Sequence, residues 1–162
     1  MRLIVMRHAK SAWNTDAPTD HARPLNGRGR RDAPRVAMYL TDIGWVPEWV
    51  ISSDSQRTRE TWARMAPHLD GDISVQFTGV LYHGGMGAMQ QVLERLSPDV
   101  TTAMVLGHNP GLEYALAWLC GIDERMTTAN AALLLSDATT WSRAVSAAGG
   151  WDLEDVLRPK AL

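Results

Sequence analysis

Three short stretches of this 162-residue chain concentrate side chains suited to holding and attacking an anion. They are Arg7-His8-Ala9-Lys10-Ser11, Ser52-Ser53-Asp54-Ser55-Gln56-Arg57 and Gly107-His108-Asn109-Pro110-Gly111. An arginine supplies a rigid fork of donors that matches phosphate or carboxylate oxygens. A histidine supplies a ring nitrogen that exists at neutral pH as nucleophile, base or donor, depending on its surroundings. Pro110-Gly111 stands where a helix begins, and free N–H groups at such an end attract an anion. His21, His68 and His83 have no comparable neighbours and read as structural.

Each stretch follows a run of apolar, branched residues that reads as a buried strand: Arg2 to Met6, Trp49 to Ser52 and Thr101 to Leu106. Further strand-like runs are Ile73 to Phe77 and Ala131 to Leu135. Between them, apolar residues recur three to four apart over Asp32 to Ile43, Ser55 to Leu69, Met86 to Leu96 and Gly111 to Cys120, the helical period. The first helix has two possible starts. Asn26 is a good cap, but places Pro34 inside the helix, where it should kink it; Asp32 avoids that. Ser136-Asp137 reads as the turn of an antiparallel edge hairpin joining Ala131 to Leu135 with Thr139 to Val145, and Gly149-Gly150 as the start of an irregular tail.

Alternating strands and helices predict an α/β fold, a three-layer α/β/α sandwich with a mostly parallel central sheet and an antiparallel edge strand. In such sheets ligands bind beyond the carboxyl ends of the strands, so Arg7, His8, Arg57 and His108 are expected on one rim.

Composition narrows the classes. Apolar residues make up 45% and charged residues 21% of the chain, which fits a globular protein rather than a disordered one or a coiled coil. Residues 1–162 read as a single domain, and the apolar stretch Leu3 to Met6 is too short for a signal sequence or a span. A cytoplasmic protein with no membrane role is expected. The lone Cys120 excludes an intramolecular disulfide and argues against a cysteine-built zinc site. Net charge is -2, and the 16 basic residues include 14 arginines. A pI near 6.2 argues against nucleic acid as a partner.

The order Arg7-His8, Ser53-x-x-x-Arg57-x-x-x-Thr61 and Gly107-His108-Asn109-Pro110 resembles the histidine phosphatase superfamily, of phosphoglycerate mutase-like fold. Asp20-His21-x-Arg23-Pro24-Leu25, Arg28-Gly29, Leu81-Tyr82 and Arg158-Pro159 extend the resemblance to its SixA-type phosphohistidine phosphatase branch, over essentially the whole chain. The resemblance implies His8 as a nucleophile that forms a phosphohistidine intermediate. Arg7 and Arg57 would clamp the phosphoryl oxygens, and His108 would be a further donor. It implies no metal and no cofactor. Ser11 and Asn14 are substrate-binding candidates, each also readable as a loop residue bonded to its own backbone.

Two departures bear on the substrate. Many members carry a glutamate after the third strand or an aspartate after the second histidine; here Gly79-Val80-Leu81-Tyr82 has no carboxylate and His108 precedes Asn109. Asp16, Asp20 and Glu113 remain as possible general acids. Asp54 replaces a common proline, where it would weaken phosphate binding or orient Arg57. No segment is left for a cap domain, so an open site is expected. The expected activity is dephosphorylation of phosphohistidine on a protein. A small phosphate ester is the alternative substrate, and a catalytically impaired phosphate-binding regulatory module the second alternative. Cys120 and Arg125 are spaced one residue too closely for a cysteine phosphatase loop, and no nucleotide-binding glycine loop is present.

Overall fold

The computed structural model describes residues 1–162. One six-stranded sheet runs in the order β3-β2-β4-β1-β5-β6. Its strands are β1 (Arg2–Arg7), β2 (Trp49–Ser53), β3 (Ser74–Thr78), β4 (Thr102–Gly107), β5 (Ala131–Leu135) and β6 (Asp152–Leu157). The first four are mutually parallel; β5 lies antiparallel to β1, and β6 antiparallel to β5.

Alternation along the strands divides the core in two. Leu3 and Val5 of β1, with Ala103 and Val105 of β4, face α3 (Met86–Leu93), α4 (Gly111–Cys120) and α5 (Trp141–Ala144). Ile4 and Met6, with Met104 and Leu106, face α1 (Gly27–Asp42) and α2 (Gln56–Met65). Helices therefore cover both sheet faces, and the central strands are apolar throughout because neither face meets water. No helix is long and apolar enough to cross a membrane.

Helix α1 begins at Gly27, the earlier of the two starts: Asn26 Oδ1 accepts the Gly29 N–H at 2.9 Å, and the helix continues through Pro34. Helix α2 stops at Met65, and a 3-10 turn over Ala66–His68 takes in Pro67. Helix α3 ends at Leu93, three residues before the expected Leu96.

The edge hairpin is a correction. Thr139 to Val145 is not a strand: Thr140 caps the short helix α5, and Trp141 is buried with its Nε1 donating to the Val100 carbonyl at 2.7 Å. Trp141, Ala144 and Val145 have helical spacing, which the strand reading overlooked. The antiparallel edge is instead β6, within the supposed tail. Its sequence, Asp-Leu-Glu-Asp-Val-Leu, is largely solvated and its pairing with β5 shifts register at Leu133/Leu134, so it lacks a clean period-two signature.

Gly111 opens α4 where that helix meets the turn at Gly84. A Cβ on Gly111 would overlap the Gly84 carbonyl oxygen, and backbone cannot swing aside as a flexible side chain does. Gly111→Ala is expected to lower stability by about 1–3 kcal/mol, the usual range for overpacking, as measured by urea unfolding.

Candidate active site

Strand ends build the site. Register pairs Arg7 with Gly107, so His8 and His108 emerge side by side, and the His8 N–H donates to the Gly107 carbonyl at 3.1 Å. The two rings lie 5.1 Å apart between centroids. Arg57, in the first turn of α2, reaches across from β2 and places its Nε 3.3 Å from His8 Nε2. All three side chains are buried. Arg7 is half-buried, and its guanidinium donates to the Met126 carbonyl at 2.9 Å.

Each imidazole is oriented by its far nitrogen. His8 Nδ1 lies 2.7 Å from the Ala9 carbonyl, which only accepts, so the proton sits on Nδ1 and Nε2 carries the lone pair. His108 Nε2 lies 2.8 Å from Ser53 Oγ. When the Ser53 hydroxyl, which also accepts the Ser55 N–H at 3.4 Å, donates to His108 Nε2, the neutral ring carries its proton on Nδ1. His108 Nδ1–H is then a buried donor without a protein partner. Thr61 ties the two halves together: its Oγ1 accepts the Ala9 N–H at 3.0 Å and donates to the Arg57 carbonyl at 2.7 Å.

Burial pushes the His8 imidazole down to about 3, assisted by the charges of Arg57 and Arg7 and opposed by the Ala9 carbonyl. Burial, the neighbouring His8 and Arg57 push His108 down to about 2. Both rings are therefore neutral at physiological pH, the state in which one nitrogen can attack and another can donate.

Asp20, one of the three candidate acids, enters the site as a committed anion. Its Oδ2 accepts from Tyr82 at 2.6 Å and Arg57 at 3.0 Å, and its Oδ1 from Arg23 at 2.9 Å. The Tyr82 hydroxyl, foremost, holds the carboxyl well below the usual carboxylate range, with help from the two arginines. The backbone carbonyl of Asp20 takes a further Arg57 N–H at 2.7 Å. Glu113 is spent on structure, with Oε1 accepting from Asn109 Nδ2 at 2.7 Å and the Met126 N–H at 2.8 Å. Asp16 and Asn14 are exposed and hydrogen-bond to no site residue. Ser11 is buried, and its Oγ accepts from Arg23 at 2.9 Å.

Asp54 does not touch Arg57; its Oδ1 pairs with His21 Nε2 at 2.8 Å. His21 and His83 also pack on Tyr82, at 4.8 and 4.0 Å between centroids, so both belong to the rim and not to remote structure. Tyr82 itself packs edge-on against His108 at 5.4 Å. Its role, like those of Arg23 and Ser53, had no sequence signal beyond the motifs that contain it. Thr61 had one, since Arg57 and Thr61 share a helix face four residues apart. No group of three or more His, Cys, Asp or Glu is placed to hold a metal.

Residues 3–92 match the model of the histidine phosphatase superfamily (branch 1). The chain belongs to that superfamily. An uncharacterized chloroplastic protein of Arabidopsis thaliana is 40% identical over 98% of this chain and 78% of its own length. In fold this histidine phosphatase matches the protein histidine phosphatase SixA, solved with tungstate, at a TM-score of 0.84, 24% identity and 99% coverage of both chains. It also matches a mycobacterial glucosyl-3-phosphoglycerate phosphatase at a TM-score of 0.69 and 16% identity, over 94% of this chain and 96% of the other. The SixA-type architecture is thus established, and a phosphatase is the coarse function.

The buried neutral histidines set a pH dependence of stability. In the unfolded chain each titrates near 6.5, so on acidification the unfolded state takes up protons that the folded state refuses. Stability from these groups is complete above about pH 6.5, and falls as pH drops toward the folded value of about 3. The slope is up to about 1.4 kcal/mol per pH unit for each histidine. Urea unfolding at pH 7 and pH 5 should show the loss in the wild type and a reduced loss in His8→Gln/His108→Gln.

Proposed function

We propose that this histidine phosphatase dephosphorylates phosphohistidine on a protein, with His8 as nucleophile. The observation that carries the reading is the state of Asp20. The carboxylate nearest the reacting groups is held ionised by Tyr82, Arg23 and Arg57, and Glu113 is committed elsewhere. Tyr82 is a poor acid too, since burial and the Asp20 carboxylate it donates to raise its pKa. An alkyl phosphate needs a proton on its departing oxygen. Phosphohistidine does not, because its imidazole leaves as a neutral ring once the distal nitrogen carries a proton.

In the first step His8 Nε2 attacks phosphorus while the bond from phosphorus to the substrate nitrogen breaks. Arg57 and Arg7 neutralise the equatorial oxygens, and His108 Nδ1–H donates from the other side. The Ala9 carbonyl keeps the proton on His8 Nδ1, so phosphorylated His8 is itself a cationic imidazole with a good leaving ring. Water then attacks phosphorus, inorganic phosphate departs, and His8 returns to its starting tautomer. These steps use the four side chains, the Ala9 carbonyl and water.

An open rim, with residues 1–162 read as one domain lacking a cap, also favours a protein substrate. It is the weaker argument, because the fold of the glucosyl-3-phosphoglycerate phosphatase aligns at nearly full length. A cytoplasmic setting belongs to the same proposal.

The test compares kcat/KM on a phosphohistidine peptide and on a glycerol phosphate-type ester. A preference of at least about 100-fold for the peptide is expected, the contribution that general acid catalysis would otherwise make to the ester. Acid-labile phosphate labelling of the protein should vanish in His8→Ala. Comparable turnover of the ester would overturn the substrate assignment, and binding of phosphate without turnover of either substrate would overturn the enzymatic one.

A further inference from the structure

Next to the His8 site lies a cleft of about 540 Å³ lined by Arg7, Lys10, Arg28, Arg158 and Lys160, with no Asp or Glu in its wall. Topology places it on the catalytic rim. Arg7 ends β1, Lys10 follows in the next loop and Arg28 lies in the first turn of α1. Because β5 runs antiparallel to β1 and β6 antiparallel to β5, the start of β5 and the end of β6 come to the same edge, bringing Asn130 and then Arg158 and Lys160.

Three features mark the cleft as built for an anion. The chain carries a net charge of -2 and has only two lysines, yet both of them line this wall. Neither lysine has an ion-pair partner, and the carboxylates that pair with Arg28 and Arg158, Asp32 and Glu124, lie outside the lining. Asn130 is only 1% exposed; its Oδ1 accepts from the Thr127 hydroxyl at 2.9 Å, while its Nδ2 has no partner. Arg7 Nε is likewise buried and unpartnered. The cleft is thus rich in donors and cations and short of acceptors, and an anionic ligand supplies what it lacks.

We propose that this cleft is a second anion subsite, which receives acidic side chains flanking the phosphorylated residue of a protein substrate. The inference rests on the phosphoprotein reading above. A peptide segment fits better than a lone phosphate for two reasons. The volume suits a ligand larger than a single tetrahedral ion. And Arg7, the neighbour of His8 in the chain, is a wall of the cleft, so one extended segment reaches both places. Gly29 permits the arrangement: a Cβ there would overlap the Lys10 carbonyl oxygen, so its absence lets α1 pack against the loop that carries Lys10.

The experiment titrates the full chain, by calorimetry, with a short unphosphorylated Glu-rich peptide and its Gln counterpart. The wild type should bind the Glu peptide roughly tenfold more tightly, with the difference shrinking at high salt. It should vanish in Arg28→Glu/Lys160→Glu, with thermal unfolding to confirm that the variant folds and Arg28→Gln/Lys160→Gln as a second, milder variant. Equal binding of the two peptides by the wild type, or a Glu preference that survives both variants, overturns the proposal. Inorganic phosphate that binds through Arg28 and Lys160 while the Glu peptide gains nothing also overturns it, assigning the cleft to phosphate. Because these peptides carry no phosphoryl group, the result is independent of turnover. Phosphohistidine peptides with acidic flanks should then show a lower KM than those with neutral flanks. If neither is hydrolysed while the Glu peptide binds, the subsite stands and the catalytic reading falls.

Discussion

The parallel pairing of β1 with β4 is the contact on which the site depends. Both strands are buried between two layers of helices, and a one-residue slip would turn Leu3 and Val5 toward α1 and Ile4 and Met6 toward α4. The register is therefore held by the whole core, and it delivers Arg7 opposite Gly107. The two histidines that follow these residues inherit their 5.1 Å separation from hydrophobic packing, not from any direct bond between them.

That packing creates an electrostatic problem which the rest of the rim resolves. Two imidazoles and Arg57 crowd together out of water, and Arg7 lies close by. The imidazoles become neutral, and the Arg57 guanidinium is countered by Asp20. Asp20 thereby joins the loop after β1 to α2 and to Tyr82, and through Arg23 to Ser11. The carboxylate that organises the site is, for the same reason, withheld from proton donation. In the proposed reaction, structure and substrate class are linked at this one residue: a leaving group able to depart unaided suits a site whose anchoring acid has no proton to give.

Charge is also partitioned along the rim. On the α2 side, carboxylates stand among the site residues, Asp20 on Arg57 and Asp54 on His21. On the β5–β6 side, the cleft wall holds five cations and no acid. The rim is therefore asymmetric about His8: acids stand among the site residues on one side, while on the other the carboxylates that pair with Arg28 and Arg158 lie outside the cleft wall and both lysines are unpaired.

Much of this was legible in the residues. Apolar runs stopping at Arg7-His8, Ser53 and Gly107-His108 announce strand ends, and the rim rule for parallel sheets expects Arg7, His8, Arg57 and His108 on one rim, where the structure has them. The edge strand escapes the period-two pattern because β6 is only weakly amphipathic and irregularly paired, while Trp141 and its neighbours carry a helical period too short to stand out. The sequence by itself determined the α/β order, the four central side chains and the scarcity of a free acid, because these follow from local periodicity and from residue type. Only the tertiary structure decided that Asp20 is bound by Tyr82, Arg23 and Arg57, that Asp54 pairs with His21, and that Lys10 and Lys160 share a wall. Those outcomes depend on which distant segments meet, and an ionisable group's role is set by the donors, charges and solvent that the fold brings to it.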